Sequence, residues 1–177
     1  MTPFRAAGLL VSAVTLCGVM LGCQSPDGDG HHHSHPEVSV PDGHEQVTRL
    51  HAEGVQIYNW TGTNWVLRGP EATLFKDAKT VAGKHYKQAD GPVWENSDGS
   101  KVVGKVITNA PAYASNAIPH LLLKAVSTAG HGVFTQVSYI QRVDTVGGKT
   151  PAAPGNTAGQ EAREKYAAEY IFYRKAK

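Results

Sequence analysis

The sequence predicts an all-β domain, a single antiparallel β-sandwich or barrel-like fold, carried behind a signal peptide and a disordered tether. Three observations carry that expectation. From Gly54 onward, short segments of alternating apolar and polar residues are separated by Gly, Asn and Asp at turn-like intervals. Apolar stripes with helical spacing are largely missing over the same stretch. The 177 residues, 41% hydrophobic and 18% charged, have the composition of one ordinary globular domain. Without leader and tether about 130 residues remain, enough to bury roughly two-thirds of their unfolded surface with no metal or disulfide.

Residues 1–22 read as a signal peptide, with one positive charge at Arg5 followed by a 17-residue apolar run from Ala6 to Gly22. The run falls short of the about 20 apolar residues of a stable span, and Gln24, Ser25, Pro26 and Asp27 follow it where a cationic stop would stand. It ends in Met20-Leu21-Gly22-Cys23, which resembles the bacterial lipobox: a large apolar residue three before the cysteine and a small one immediately before it. Met20 stands where Leu is commoner. The resemblance implies a diacylglyceryl thioether on Cys23, cleavage before it, and a membrane partner held by acyl chains at about 0.8 kcal/mol per buried CH₂. The expected location is the cell envelope, at the outer membrane or cell surface. Cys17 departs with the leader and Cys23 carries lipid, so no disulfide is expected in the domain.

Residues 23–47 form the lipidated tether. Gln24 to Asp42 holds Ser, Pro, Asp, Gly and the block His31-His32-His33-Ser34-His35 with no apolar periodicity, so it is expected to be disordered. His31, His32, His33 and His35 could wrap copper, nickel or zinc weakly and exchangeably, with His44 and His51 folding back to help. The other reading is a hydrophilic spacer. The domain itself, residues 48–177, requires no cofactor.

Within it, Val55 to Trp60 alternates faces, Thr61-Gly62-Thr63-Asn64 turns, and Trp65-Val66-Leu67 returns as a hairpin. Glu71 to Phe75 and Thr80 to Tyr86 form the next pair, joined across Lys76 to Lys79. Val93-Trp94-Glu95 runs into a turn whose Asp98-Gly99 pair supplies the positive φ required, and Lys101 to Ile107 leaves it. After a loop over Asn109 to Asn116, Leu121 to Val126 is too continuously apolar to alternate and predicts a strand buried on both faces. Val133 to Val143 alternates again, and Gly147 to Gly159 is a second long loop. For Ala162 to Lys177, propensity favours helix, yet Tyr166, Ala168, Tyr170 and Phe172 also share one face of a strand.

Several strings, taken together and in order, resemble the uncharacterised secreted family known as domain of unknown function 3455. They are His51-Ala52-Glu53-Gly54-Val55-Gln56-Ile57-Tyr58, Gly69-Pro70-Glu71-Ala72-Thr73-Leu74-Phe75, Lys84-His85-Tyr86, Gly91-Pro92-Val93-Trp94-Glu95, Ile118-Pro119-His120-Leu121-Leu122-Leu123 and Tyr139-Ile140-Gln141-Arg142-Val143. The resemblance spans about His51 to Tyr173. It implies an extracellular β-rich domain, names no reaction, and tips the C-terminal segment towards strand. The family often has cysteines at the positions of Trp60 and near Gly155, so a bridge in relatives would be missing here. It tends to carry Trp where this chain has His120, which counts against a metal or catalytic role for His120.

The mature chain holds 16 basic and 15 acidic residues with no run of cations interleaved with aromatics, which argues against nucleic acid as a partner. There is no Gly-x-Ser-x-Gly elbow, no His-Glu-x-x-His, no phosphate loop and no dinucleotide fingerprint. The densest cluster of special residues is His85, Tyr86, Trp94, Glu95 and Asp98, on two adjacent strands and their turns. Rings, an imidazole and carboxylates together suit a sugar or other small polar ligand. The competing reading makes Trp94 core, Asp98 a turn residue and His85 a hydrogen-bonded rim group. The function expected is a non-catalytic envelope domain that binds a small polar ligand or another envelope protein. The alternative is a secreted enzyme, a hydrolase foremost, working through His85 and Glu95.

Overall fold

The computed structural model describes Met1 and residues 35–177. Residues 2–34, which include the rest of the leader, Cys23, and His31, His32 and His33, lie outside the described residues. Among those described, eight strands follow one another: β1 His44–Trp60, β2 Trp65–Phe75, β3 Val81–Gln88, β4 Gly91–Asn96, β5 Lys101–Ala110, β6 His120–Ala129, β7 Tyr139–Gly147 and β8 Glu161–Lys175. Each pairs antiparallel with its neighbours, and β1 pairs with β8 to close a barrel. Closure removes the exposed edges that an open sheet leaves.

Side-chain alternation divides the strands into two faces. Tyr166, Ala168, Tyr170 and Phe172 of β8 enter the bore with Trp94, Val102, Leu123 and Ile140 from other strands, so the pattern seen in the sequence is that of a strand. Gly104 makes room for the largest of these rings. A Cβ there would lie 3.0 Å from Cζ3 of Trp94 and 3.3 Å from both Ile140 and Leu123.

One end of the bore is plugged by the 130–138 loop, whose Phe134 is fully buried against Phe172 at 4.4 Å between ring centroids. This corrects the expected strand over Val133 to Val143, which begins only at Tyr139. Side chains compete for its backbone: the Asp98 carboxylate accepts the Val133 N–H at 2.8 Å, and the Ser100 hydroxyl oxygen accepts the Phe134 N–H at 3.1 Å.

The tether reading is corrected over its last residues. A 3₁₀ turn at Pro36–Val38 lays a strap across the outside of the barrel, with Val38 fully buried. Val38 packs with Ala110, Leu122, Val143 and Ile171, and its carbonyl accepts from Gln141 Nε2 at 2.9 Å. Two-sided burial therefore holds at Leu122 and Leu123 but lapses at exposed Lys124 and Val126. Trp60 and Gly155 are neighbours, since a Cβ on Gly155 would lie 2.8 Å from that of Trp60. The indole covers the place that a bridge between those two positions would need.

Candidate functional site

The register of β3 against β4 pairs His85 with Trp94 and Lys84 with Glu95. Alternation then sends His85 and Trp94 into the bore and Tyr86 and Glu95 to the outer surface. Outside, the Tyr86 hydroxyl donates to Glu95 Oε2 at 2.7 Å, with Lys101 at 3.2 Å and Lys84 at 3.5 Å from the same oxygen. Desolvation and then this carboxylate push Tyr86 up to about 12, while the Tyr86 hydrogen bond, ahead of Lys101, holds Glu95 below its usual range. Asp98 belongs to neither face. Desolvation opposes its charge, but donors from Ser100 and Val133 outweigh this and keep it far below the carboxylate range. The five residues grouped by sequence thus separate into a bore pair, an outer pair and a loop anchor.

In the bore, the rings of His85 and Trp94 stack at 4.3 Å and 11°, and Tyr170 meets them edge-on at 5.0 and 5.3 Å. His85 Nδ1 lies 2.9 Å from the Val93 carbonyl. A carbonyl only accepts, so the proton sits on Nδ1 and Nε2 carries a lone pair. Burial depresses the His85 pKa to about 3 despite the Val93 bond, with Arg142 adding to the depression, so the ring is neutral at physiological pH.

These rings line a cavity of about 350 Å³ that receives residues from all eight strands, from Gln56 on β1 round to Tyr170 on β8. Only the bore of a barrel can be lined that way. The size suits a small molecule. Trp94 Nε1 is buried without a hydrogen-bond partner, and the buried Tyr170 hydroxyl makes no hydrogen bond of ordinary length, although Tyr166 and Arg142 lie close enough to act on it. Arg142 stands in the same wall and donates through Nε and Nη2 to the Pro119 carbonyl at 3.1 and 2.8 Å, a neutral acceptor that leaves its charge uncancelled. Sequence reasoning missed Arg142 and Tyr170. Both were signalled by alternation, since Arg142 follows Ile140 on one face of β7 and Tyr170 follows Ala168 on one face of β8.

A family model described as Protein of unknown function (DUF3455) matches residues 41–174. The chain belongs to this family. Comparison with curated proteins and with solved structures gives no match. The matched span contains every strand residue that lines the bore, so the cavity is a feature of the DUF3455 domain in this chain.

A second group lies outside the bore, where the strap meets the first residue of β6. His35, Glu37 and His120 each offer a ligand atom, all within 4.8 Å of one another. Glu37 Oε1 is 3.8 Å from His35 Nδ1 and 3.6 Å from His120 Nδ1. His120 is 1% exposed and its Nδ1 has no hydrogen-bond partner. Burial, and then His35, lower the His120 pKa against the pull of Glu37, which favours a neutral ring. A hydrogen bond from its own backbone N–H keeps Glu37 below the ordinary carboxylate range, with slight burial opposing and His120 assisting.

On the far side of His35, Nε2 lies 3.1 Å from Asp144 Oδ1. Asp144 is the one non-glycine with positive φ among the described residues, at 49°, and sits where the β7–β8 register shifts. Its other oxygen accepts from Arg49 at 3.0 Å, and Arg49 Nε donates to Glu169 at 2.8 Å. Of the four tether histidines expected to bind metal, His35 is therefore built into the folded domain. His120, discounted on the family resemblance, stands beside it. Sequence reasoning missed Glu37 and Asp144, since nothing along the chain links residue 37 to 120 or 144.

Proposed function

We propose that this chain is an envelope lipoprotein whose barrel holds, without turning it over, a small molecule with an anionic head and a flat or apolar body. The observation that carries the reading is the bore cavity, where the buried Trp94 Nε1–H lacks a partner, the Tyr170 hydroxyl makes no hydrogen bond of ordinary length, and no carboxylate pairs with Arg142. A buried donor left unpaired costs about 1 to 3 kcal/mol, which a ligand acceptor would recover. The stacked His85 and Trp94 rings offer a face to a flat body. Anchoring through Cys23 rests on the lipobox-like Met20-Leu21-Gly22-Cys23.

The enzyme reading required His85 and Glu95 to act together. Alternation places them on opposite faces of one sheet, and the depressed pKa makes His85 a poor base at neutral pH. Binding without turnover is the better account.

Calorimetry with benzoate, naphthoate and an anilinonaphthalene sulfonate, each against its neutral amide or unsubstituted analogue, tests the proposal. The anions are expected to bind one per chain and their neutral partners at least about tenfold more weakly. Arg142→Gln should erase that difference and Arg142→Lys should keep part of it. No binding by any anion, or equal binding by the neutral partners, overturns the reading.

A further inference from the structure

We propose that His35, Glu37 and His120 form a site for a divalent transition-metal ion that clips the N-terminal strap to the barrel. The argument begins with the orphaned atom. A buried polar nitrogen with no partner is costly, and buried side-chain nitrogens and oxygens are nearly always satisfied. His120 Nδ1 makes no hydrogen bond of ordinary length, and faces Glu37 Oε1 at 3.6 Å, an ion-pair contact too long to satisfy it fully. His35 Nδ1 lies 3.8 Å from the same oxygen.

A tetrahedral ion with bonds of about 2.1 Å holds its ligand atoms about 3.4 Å apart. The two distances to Glu37 Oε1, 3.8 and 3.6 Å, are therefore a few tenths of an ångström wider than an ion would draw them, and all three atoms lie within 4.8 Å of one another. Two imidazoles and one carboxylate suit zinc or copper(II), and are a poor set for calcium or magnesium, which take oxygen ligands.

The surroundings match what a ligating histidine needs. Such a ring usually donates its other N–H to a carboxylate, which fixes its tautomer and raises its basicity. Asp144 receives His35 Nε2 in that manner at 3.1 Å, which leaves the lone pair on Nδ1, the atom 3.8 Å from Glu37 Oε1. Asp144 adopts its left-handed backbone at this point and is itself held by Arg49. Strain of that kind persists where the surroundings enforce it, and it clusters at functional sites. The Tyr113 hydroxyl, 3.4 Å from His35 Nδ1, would give way to the ion, which its place on an exposed loop permits.

The site joins two parts of the chain. His35 and Glu37 precede the family span of 41–174, whereas His120 lies within it. Bound metal would hold the strap down over Val38 and Leu122 and raise the melting temperature, since anything binding only the folded state stabilises it.

The test uses the mature chain carrying His31→Ser, His32→Ser and His33→Ser, which removes the neighbouring imidazoles but keeps His35. Titration with Zn²⁺ should show one ion per chain and a rise in melting temperature, and Co²⁺ should give visible absorption bands of a low-coordinate site. Glu37→Gln should weaken Zn²⁺ binding at least tenfold, with each variant's rise in melting temperature read against its own metal-free value. Asp144→Asn, a change in a positioning residue, should weaken it about 10- to 100-fold. Loss of binding in the triple serine chain, or an unchanged affinity in Glu37→Gln, overturns the site. Neither result bears on the bore, because benzoate binding is read separately.

Discussion

An imidazole shut away from water is held neutral only at a cost that grows as the solution acidifies, and His85 makes that cost measurable. Its folded pKa of about 3 lies below the ordinary 6.5, so the unfolded chain takes up a proton that the folded chain refuses. The stabilising contribution is full above about pH 6.5 and declines as pH falls towards 3. By pH 5 the loss should reach about 2 kcal/mol, at 1.36 kcal/mol per pH unit. Urea titrations at pH 7 and pH 5 should show it in the wild type. In His85→Gln, less stable at pH 7 because the ring stacked on Trp94 is lost, that pH dependence should shrink. An equal pH loss in both would assign the effect to other groups. Gly104 gives a second test at this scale. Gly104→Val drives methyl groups into Trp94, Ile140 and Leu123 and should cost about 1 to 3 kcal/mol by overpacking, read by urea unfolding. The pairing of His85 with Trp94 was within reach of the sequence, since both lie on strands that alternate. Their facing inward while Glu95 faces outward depended on register, which a one-residue slip would have reversed.

Elements were legible where their own residues decide them. The turn at Thr61 to Asn64 closes through Thr61 Oγ1, which donates to the Asn64 carbonyl at 3.0 Å, and the loop before β3 closes through Asp77, which accepts from Lys79 and Thr80 at 3.0 Å. Both turns rest on contacts two or three residues apart. The loop that follows β6 was misread as strand because its conformation is imposed from residues 98 and 100, more than thirty positions earlier. Ser100 holds that loop twice, donating to Asp98 at 2.6 Å while accepting from Phe134. Ser100→Ala should leave a buried N–H without an acceptor and cost about 1 to 3 kcal/mol. Hydrogen exchange at Phe134 should accelerate more than at Ile140 in the centre of β7. Uniform acceleration would mean that the plug is not an independently held element. The strap escaped the sequence reading for a related reason. Val38 and Val40 are too few to show periodicity, and their burial depends on the outer faces of β5, β6, β7 and β8.

At the scale of the whole molecule, the barrel and the proposed anchor make separable demands on the chain. Closure rests on the long β1–β8 seam, which runs from His44 with Lys175 to Asn59 with Glu161. That seam lies wholly within the described residues. The order of the strands could be read from turn spacing, but Trp65 to Leu67 and Glu71 to Phe75, read as two segments, are one strand, and closure was not legible because it depends on the first strand meeting the last across more than a hundred residues. The proposed membrane attachment depends instead on Cys23, where Gly22 and Leu21 complete the lipobox-like pattern. Two or three acyl chains at about 0.8 kcal/mol per buried CH₂ would hold the chain on a bilayer in effect permanently. In a bacterial host, the wild type should therefore incorporate labelled palmitate and partition into detergent. Cys23→Ser should do neither. Because Cys23 precedes every residue of the barrel, the soluble Cys23→Ser protein should keep the wild-type melting temperature and its affinity for benzoate. Palmitate labelling that survives in Cys23→Ser would end the lipoprotein proposal while leaving the bore intact. Loss of labelling together with loss of benzoate binding would show that the barrel needs its anchor, against the separation argued from the β1–β8 seam.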